Sequence, residues 1–309
     1  MMDDAAWESE TYDEFGFLGD IAKEWGLKVP PLKPKRIEFE SAPGQKLSAI
    51  QWGDDPEIVF LHGGGQNAHT WDTVVLALGR SALAIDAPGH GHSYWRDDRD
   101  YGPWKNADAY AAAIPRLAPN AKAVCGMSLG GATTIRLAGT YPQLVKKAVI
   151  VDVTPQVNDP SRQMTREDRG TVSLIGDSPF YSSFKAMADA AVALSPYRSP
   201  ESVRRGVRNN AKKLPDGRWT WRYDLGNRPG APPRPSSDFS TLWEDASRIK
   251  CPAMLVVGGV SKFVQPADVV EMQKRVAGLR VETVPGAGHA VQSDKPLDLT
   301  RLLNEFVFS

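Results

Sequence analysis

The stretch Val124-Cys125-Gly126-Met127-Ser128-Leu129-Gly130-Gly131 joins a short apolar strand to a helical pattern, Ala132 to Tyr141. The join is a Gly-x-Ser-x-Gly turn. A serine pinched between glycines at a strand-to-helix turn sits on tight backbone, and the missing Cβ atoms leave room for neighbouring chain. The pattern demands a sheet whose strand ends at the serine and a helix that begins beside it. The dipole at that helix end favours developing negative charge. Ser128 is therefore the candidate nucleophile.

Strands and helices alternate on both sides of this turn. Arg36–Glu40 and Leu47–Trp52 alternate in polarity and predict an antiparallel hairpin. Short apolar strands are expected at Glu57–Leu61, Ser81–Asp86, Lys122–Cys125 and Lys147–Val153, with helices at Thr70–Leu78, Lys105–Leu117 and Ala132–Tyr141. The alternation resumes with strand Ala253–Gly258, helix Ala267–Ala277, strand Arg280–Val284 and helix Leu297–Phe308. Such alternation implies βαβ units and an α/β class with a mostly parallel sheet. Residues 155–245 break it. They predict a largely helical insertion, with pieces at Tyr181–Leu194 and Glu201–Lys212 and a hairpin at Pro215-Asp216-Gly217, covering the carboxyl edge of the sheet as a cap. Residues 1–35 read as an extension. It holds a short amphipathic helix (Phe15, Leu18, Ile21, Ala22, Trp25) and an extended linker at Pro30-Pro31-Leu32-Lys33-Pro34. The core is expected at 36–154 and 246–309.

Charge and cysteine content exclude several classes. The 309 residues carry no net charge, which removes a bulk electrostatic case for nucleic acid or an anionic membrane. The charge is uneven, however: residues 1–30 sum to −6 and residues 155–240 to +5. Two cysteines, Cys125 and Cys251, argue against a disulfide scaffold and read as small apolar residues. The N-terminus has no basic-then-apolar leader, and no apolar run approaches the ~20 residues of a membrane span. A cytoplasmic protein with a small-molecule substrate is expected, with self-association into a homo-oligomer left open.

A serine nucleophile needs a base, and the base needs an acid to orient it. His289, in Pro285-Gly286-Ala287-Gly288-His289, follows the last strand and so falls at the same sheet edge as Ser128. The loop Leu61-His62-Gly63-Gly64-Gly65 lets backbone approach a ligand closely, and the N–H groups of Gly64 and Leu129 are the expected oxyanion donors. The glycine run lacks the pattern of a phosphate loop. His90 and His92 form a His-x-His pair without a third ligand, so no metal and no cofactor are expected. His62 and His69 are expected to satisfy local backbone groups. Trp221, Tyr223 and Tyr181 of the insertion are the candidate substrate-binding aromatics.

Four motifs together resemble the α/β-hydrolase superfamily: Leu61-His62-Gly63-Gly64, Asp86-Ala87-Pro88-Gly89-His90-Gly91-His92-Ser93, Gly126-Met127-Ser128-Leu129-Gly130-Gly131 and Gly286-Ala287-Gly288-His289. The resemblance spans 36–153 and 250–309. It implies an α/β-hydrolase fold and a cofactor-independent hydrolase that cleaves an ester or lactone through an acyl-enzyme. The superfamily also holds carbon–carbon bond hydrolases and ligand receptors, the alternative readings. The triad acid departs from the common pattern. The family usually places an Asp after the penultimate strand, where this chain reads Gly258-Gly259-Val260-Ser261-Lys262-Phe263-Val264. Some members place the acid one strand earlier instead, and Asp152, at the end of an apolar strand, then becomes the expected partner of His289. Asp268, the other candidate, is expected to cap the helix it opens.

Overall fold

A computed structural model describes residues 7–8, 12–157, 162, 164–176, 179–226, 230–233, 235 and 238–309. Eight strands form one sheet: β1 (Pro34–Ala42), β2 (Gln45–Trp52), β3 (Ile58–Leu61), β4 (Ala82–Ile85), β5 (Ala123–Met127), β6 (Ala148–Val151), and, beyond a small hairpin, β9 (Ala253–Gly258) and β10 (Arg280–Val284). The spatial order is β1-β2-β4-β3-β5-β6-β9-β10. β1 and β2 run antiparallel, as does the β2 pairing with β4, and every other neighbour is parallel. The helices are α1 (Leu18–Glu24), α2 (Asp72–Leu78), α3 (Pro103–Leu117), α4 (Leu129–Thr140), α5 (Arg166–Arg169), α6 (Phe184–Ala193), α7 (Pro200–Asn210), α8 (Leu242–Ser247), α9 (Pro266–Arg275), α10 (Val291–Asp294) and α11 (Pro296–Val307).

The short central strands β3 to β6 are buried along their whole length, because helices cover both faces of a parallel sheet. Their side chains alternate between two cores. Ile58, Phe60, Cys125 and Val151 join Trp71, Val75 and Leu303 on one face. Val59, Leu61, Val124 and Ile150 join Tyr110, Ile135 and Leu242 on the other. Parallel strands also gather their carboxyl ends at one edge. The loops after β3, β5, β6, β9 and β10 carry Gly64, Ser128, Asp152, Ser261 and His289 there.

Between β6 and α8 the chain leaves the sheet. α6 and α7 start at Ser183 and Ser199, whose hydroxyls accept the N–H groups of Ala186 and Ser202. α7 leads into a separate hairpin of β7 (Ala211–Lys213) and β8 (Trp219–Trp221). The acidic N-terminal segment is the clasp on this insertion. Trp7 stacks on Phe184 at 5.7 Å, and the Glu8 carboxylate accepts the Phe184 N–H at 3.0 Å. The Arg208 guanidinium lies 4.0 Å over the Tyr12 ring, while Glu24 pairs with Arg205 and accepts the Ser199 hydroxyl. The opposite charges of the two segments thus meet in contacts.

Glu14 anchors the same segment to a buried charge cluster. Arg36 bonds Glu14, Ser48 and Asp86, and Asp86 also accepts the N–H groups of Ala68 and His92. His69 lies 2.8 Å from Asp72 and 3.4 Å from Glu14. Burial alone would lower the His69 pKa, but the Asp72 carboxylate and the bonds to Asp72 and Glu14 outweigh it and hold it at about 9. The folded state therefore retains a proton that the unfolded chain releases near 6.5. This stabilisation is fully present below pH 6.5 and is lost as pH rises through 9. Urea unfolding is expected to show stability falling across that window by roughly 3 kcal/mol, a slope that His69→Gln removes.

Candidate active site

Ser128 sits at the turn from β5 to α4 with φ +51°, in the left-handed region that a non-glycine residue occupies only under constraint. Three glycines make that turn possible. A Cβ on Gly126 would lie 2.1 Å from the Gly130 carbonyl oxygen, and one on Gly130 would lie 2.2 Å from that of Leu61. A Cβ on Gly131 would strike Val153 at 2.5 Å. These contacts explain why α4 begins at Leu129, three residues before the sequence pattern predicts. Gly130 and Gly131 weaken a helix by propensity, but close packing against β3 and β6 requires them there.

Ser128 and Asp152 each stand one residue past the paired Met127 and Val151, on neighbouring strands about 4.8 Å apart. The Ser128 N–H donates to the Val151 carbonyl at 3.0 Å. Asp152 is fully buried, also at positive φ (+53°), and accepts three hydrogen bonds. The Gly258 N–H reaches Oδ1 at 2.8 Å, while the Ser261 hydroxyl and His289 Nδ1 reach Oδ2 at 2.5 and 2.7 Å. A carboxylate only accepts, so Nδ1 carries the hydrogen, and in the neutral ring Nε2 then keeps its lone pair. Nε2 is buried and makes no hydrogen bond among the described residues. Ser128 Oγ is thus not bonded to it in this arrangement, a contact that catalytic sites commonly tighten around substrate. Phe263 stacks on the imidazole with ring centroids 3.5 Å apart.

The loop after β3 is braced by two histidines. His62 Nδ1 donates to the Gly63 carbonyl and its Nε2 accepts the Ala87 N–H, at 2.7 and 2.9 Å. His90 Nδ1 donates to the Pro88 carbonyl and its Nε2 accepts the Gly65 N–H, both at 3.0 Å. Both ring nitrogens of His90 are therefore engaged. Burial pushes the His62 pKa down, in keeping with a neutral ring. The Gly63 N–H is taken by Gln66 at 3.1 Å. The Gly64 N–H has no acceptor among the described residues, nor does that of Leu129 at the start of α4. Two unspent backbone donors beside a buried, unpartnered base are suited to a developing oxyanion.

A cavity of about 140 Å³ opens beside this loop. Gly64, Gly65 and Ala290, the residue after His289, lie on its wall; Ser128, Leu129 and His289 themselves do not. Trp221 and Tyr223 line it, stacked at 5.7 Å. Tyr181 does not. It packs edge-on behind Trp221 at 6.0 Å, because its backbone pairs with Trp219 and extends the hairpin away from the cavity. A family model for the alpha/beta hydrolase family matches residues 58–301.

The chain belongs to the alpha/beta hydrolase family.

Esterase Rv0045c of Mycobacterium tuberculosis is 44% identical over 293 residues, 94% of each chain. A solved structure of that esterase matches with a TM-score of 0.84 at 42% identity, covering 97% of this chain and 100% of the other. The sn-1-specific diacylglycerol lipase ABHD11 of Mus musculus is 27% identical over 257 residues, 82% of this chain and 81% of that protein.

In this alpha/beta hydrolase Asp268 is spoken for elsewhere. Its carboxylate accepts the Gln265 N–H at the head of α9 and both oxygens lie 2.6 Å from Arg162 Nη2. Asp268→Asn is expected to lower unfolding stability by about 3 kcal/mol, by stranding a buried guanidinium, and to leave kcat near wild type. Equilibrium unfolding beside steady-state kinetics checks both halves. His69, expected to serve local backbone, instead joins the Glu14–Asp72 cluster. Sequence reasoning also passed over Asp294, which accepts the Gly288 N–H at 2.9 Å beside His289. Burial pushes its pKa up. Phe263 was missed as well; its only signal was its place two residues after Ser261.

Proposed function

We propose that this chain is a serine hydrolase that cleaves a carboxylic ester or lactone of a small organic molecule through an acyl-enzyme. The observation that carries the reading is the His289 Nδ1 to Asp152 Oδ2 bond of 2.7 Å, which leaves Nε2 as a free base at the edge that holds Ser128. The relative named as an esterase, similar over nearly the whole chain, supports ester chemistry.

Neutral His289 takes the Ser128 proton as Oγ attacks the ester carbonyl carbon. The Gly64 and Leu129 N–H groups receive the oxyanion, helped by the dipole of α4. Asp152 fixes the tautomer and stabilises the imidazolium. His289 then protonates the leaving alkoxide, and water repeats the sequence on the acyl-enzyme. The insertion covering the carboxyl edge acts as a cap, and its Trp221 and Tyr223 form part of the acyl site.

The test is hydrolysis of acetyl, butyryl and octanoyl esters and small lactones, with Ser128→Ala as control. Catalytic turnover of short esters that disappears in the variant is expected. Turnover equal in both proteins overturns the reading. Cleavage confined to β-diketones would move the chain to carbon–carbon bond hydrolysis, and single turnovers only would make it a receptor.

A further inference from the structure

Arg198 stands on the wall of the cavity beside the oxyanion loop. Its Nη2 donates to the carbonyl and hydroxyl of Ser202, both at 3.0 Å. Its Nε is buried with no partner, and among the described residues no carboxylate hydrogen-bonds or ion-pairs with it. The nearest acids are committed: Glu24 to Arg205 and Ser199, Asp294 to the Gly288 N–H. Asp72, a carboxylate on the same wall, is held by His69 at 2.8 Å. Asp294 and Glu24 act on this guanidinium only from beyond ion-pair distance, so its partly buried charge gains when an anion arrives in the cavity. A second orphan donor, Trp221 Nε1, belongs to the same lining.

The rest of the wall sets the size and character of the occupant. Ile21, Leu174, Val203 and Val207 supply apolar surface. The cavity of about 140 Å³ is close to the ~150 Å³ that encloses a benzene, or about six heavy atoms. Gly64, one of the two proposed oxyanion donors, and Ala290, the residue after His289, share this wall, which sets the space beside the reacting carbonyl.

We propose that this cavity takes the acyl part of a short-chain diacid monoester, with Arg198 as the specificity residue that binds its free carboxylate. The proposal rests on the ester-hydrolase reading. A glutaryl group, three methylenes and a carboxylate beyond the reacting carbonyl, matches the volume and the mixed apolar and cationic wall.

Two measurements test it. The first compares kcat/KM for monomethyl glutarate and methyl hexanoate in wild type, Arg198→Gln and Arg198→Lys. Wild type is expected to prefer the glutarate ester at least tenfold. Arg198→Gln should cut that preference at least tenfold, and Arg198→Lys should restore part of it. The second is calorimetric binding of glutarate, which needs no turnover; Arg198→Gln should weaken it at least tenfold while thermal unfolding shows a folded variant. Turnover of methyl hexanoate without a charge preference, or glutarate binding unaltered by Arg198→Gln, overturns the inference and leaves ester hydrolysis standing. Arg198-dependent glutarate binding without turnover of either ester upholds the site and counts against the hydrolase reading.

Discussion

Ser128→Ala is expected to lower kcat on any ester this chain cleaves by about a million-fold, with its fold intact. The residue supplies the only atom that bonds covalently to the acyl group in the proposed route, so nothing else in the site replaces it. The residual rate should still exceed the uncatalysed reaction by 10³ or more, because the Gly64 and Leu129 donors remain to stabilise a carbonyl attacked by water. The substitution keeps the Cβ that the strained turn already accommodates at φ +51°. Steady-state kinetics on purified variant, beside a thermal melt, checks the prediction. A loss below a hundredfold would remove Ser128 from the nucleophile's role.

Asp152→Asn carries the second largest effect, a fall in kcat of about 10⁴. Asp152 accepts from three donors at once, the Gly258 N–H, the Ser261 hydroxyl and His289 Nδ1. An asparagine has one oxygen to offer them. With Oδ1 on Gly258, its amide N–H groups face His289, which must turn Nδ1 into the acceptor and move its hydrogen to Nε2. The base then points a proton at the serine hydroxyl whose proton it should remove. Binding surfaces are untouched, so the loss should appear in kcat with little change in KM. A variant within tenfold of wild type would take Asp152 out of the triad.

The sheet and its edge were legible because strand and helix periods alternate along the chain, and because glycines mark places where backbones meet. Gly126 and Gly130 are such places, and they disclose the turn at Ser128 before any coordinates. Asp152 was legible by a different route: Ser261 stands where the family's usual acid is absent. The structure gives that serine a use, since its hydroxyl bonds the Asp152 carboxylate from the strand next door. The clasp made by Trp7, Glu8, Glu14 and Glu24 was legible only as a charge imbalance, because its partners Phe184, Arg36 and Arg205 lie far away in sequence. Arg198 and Phe263 gain their positions from tertiary packing and leave no periodic mark. Tyr181 lies off the cavity that Trp221 and Tyr223 line, and aromatic composition says nothing of which face of the hairpin meets it.

The proposed chemistry makes Ser128 a nucleophile activated by His289 on Asp152. Incubation with a fluorophosphonate, followed by intact mass and peptide mapping, tests it without knowledge of the substrate. One covalent adduct per chain is expected, located on Ser128 and absent from Ser128→Ala, with labelling slowed by orders of magnitude in Asp152→Asn. A folded wild-type protein that stays unlabelled, or an adduct on another residue, would contradict it.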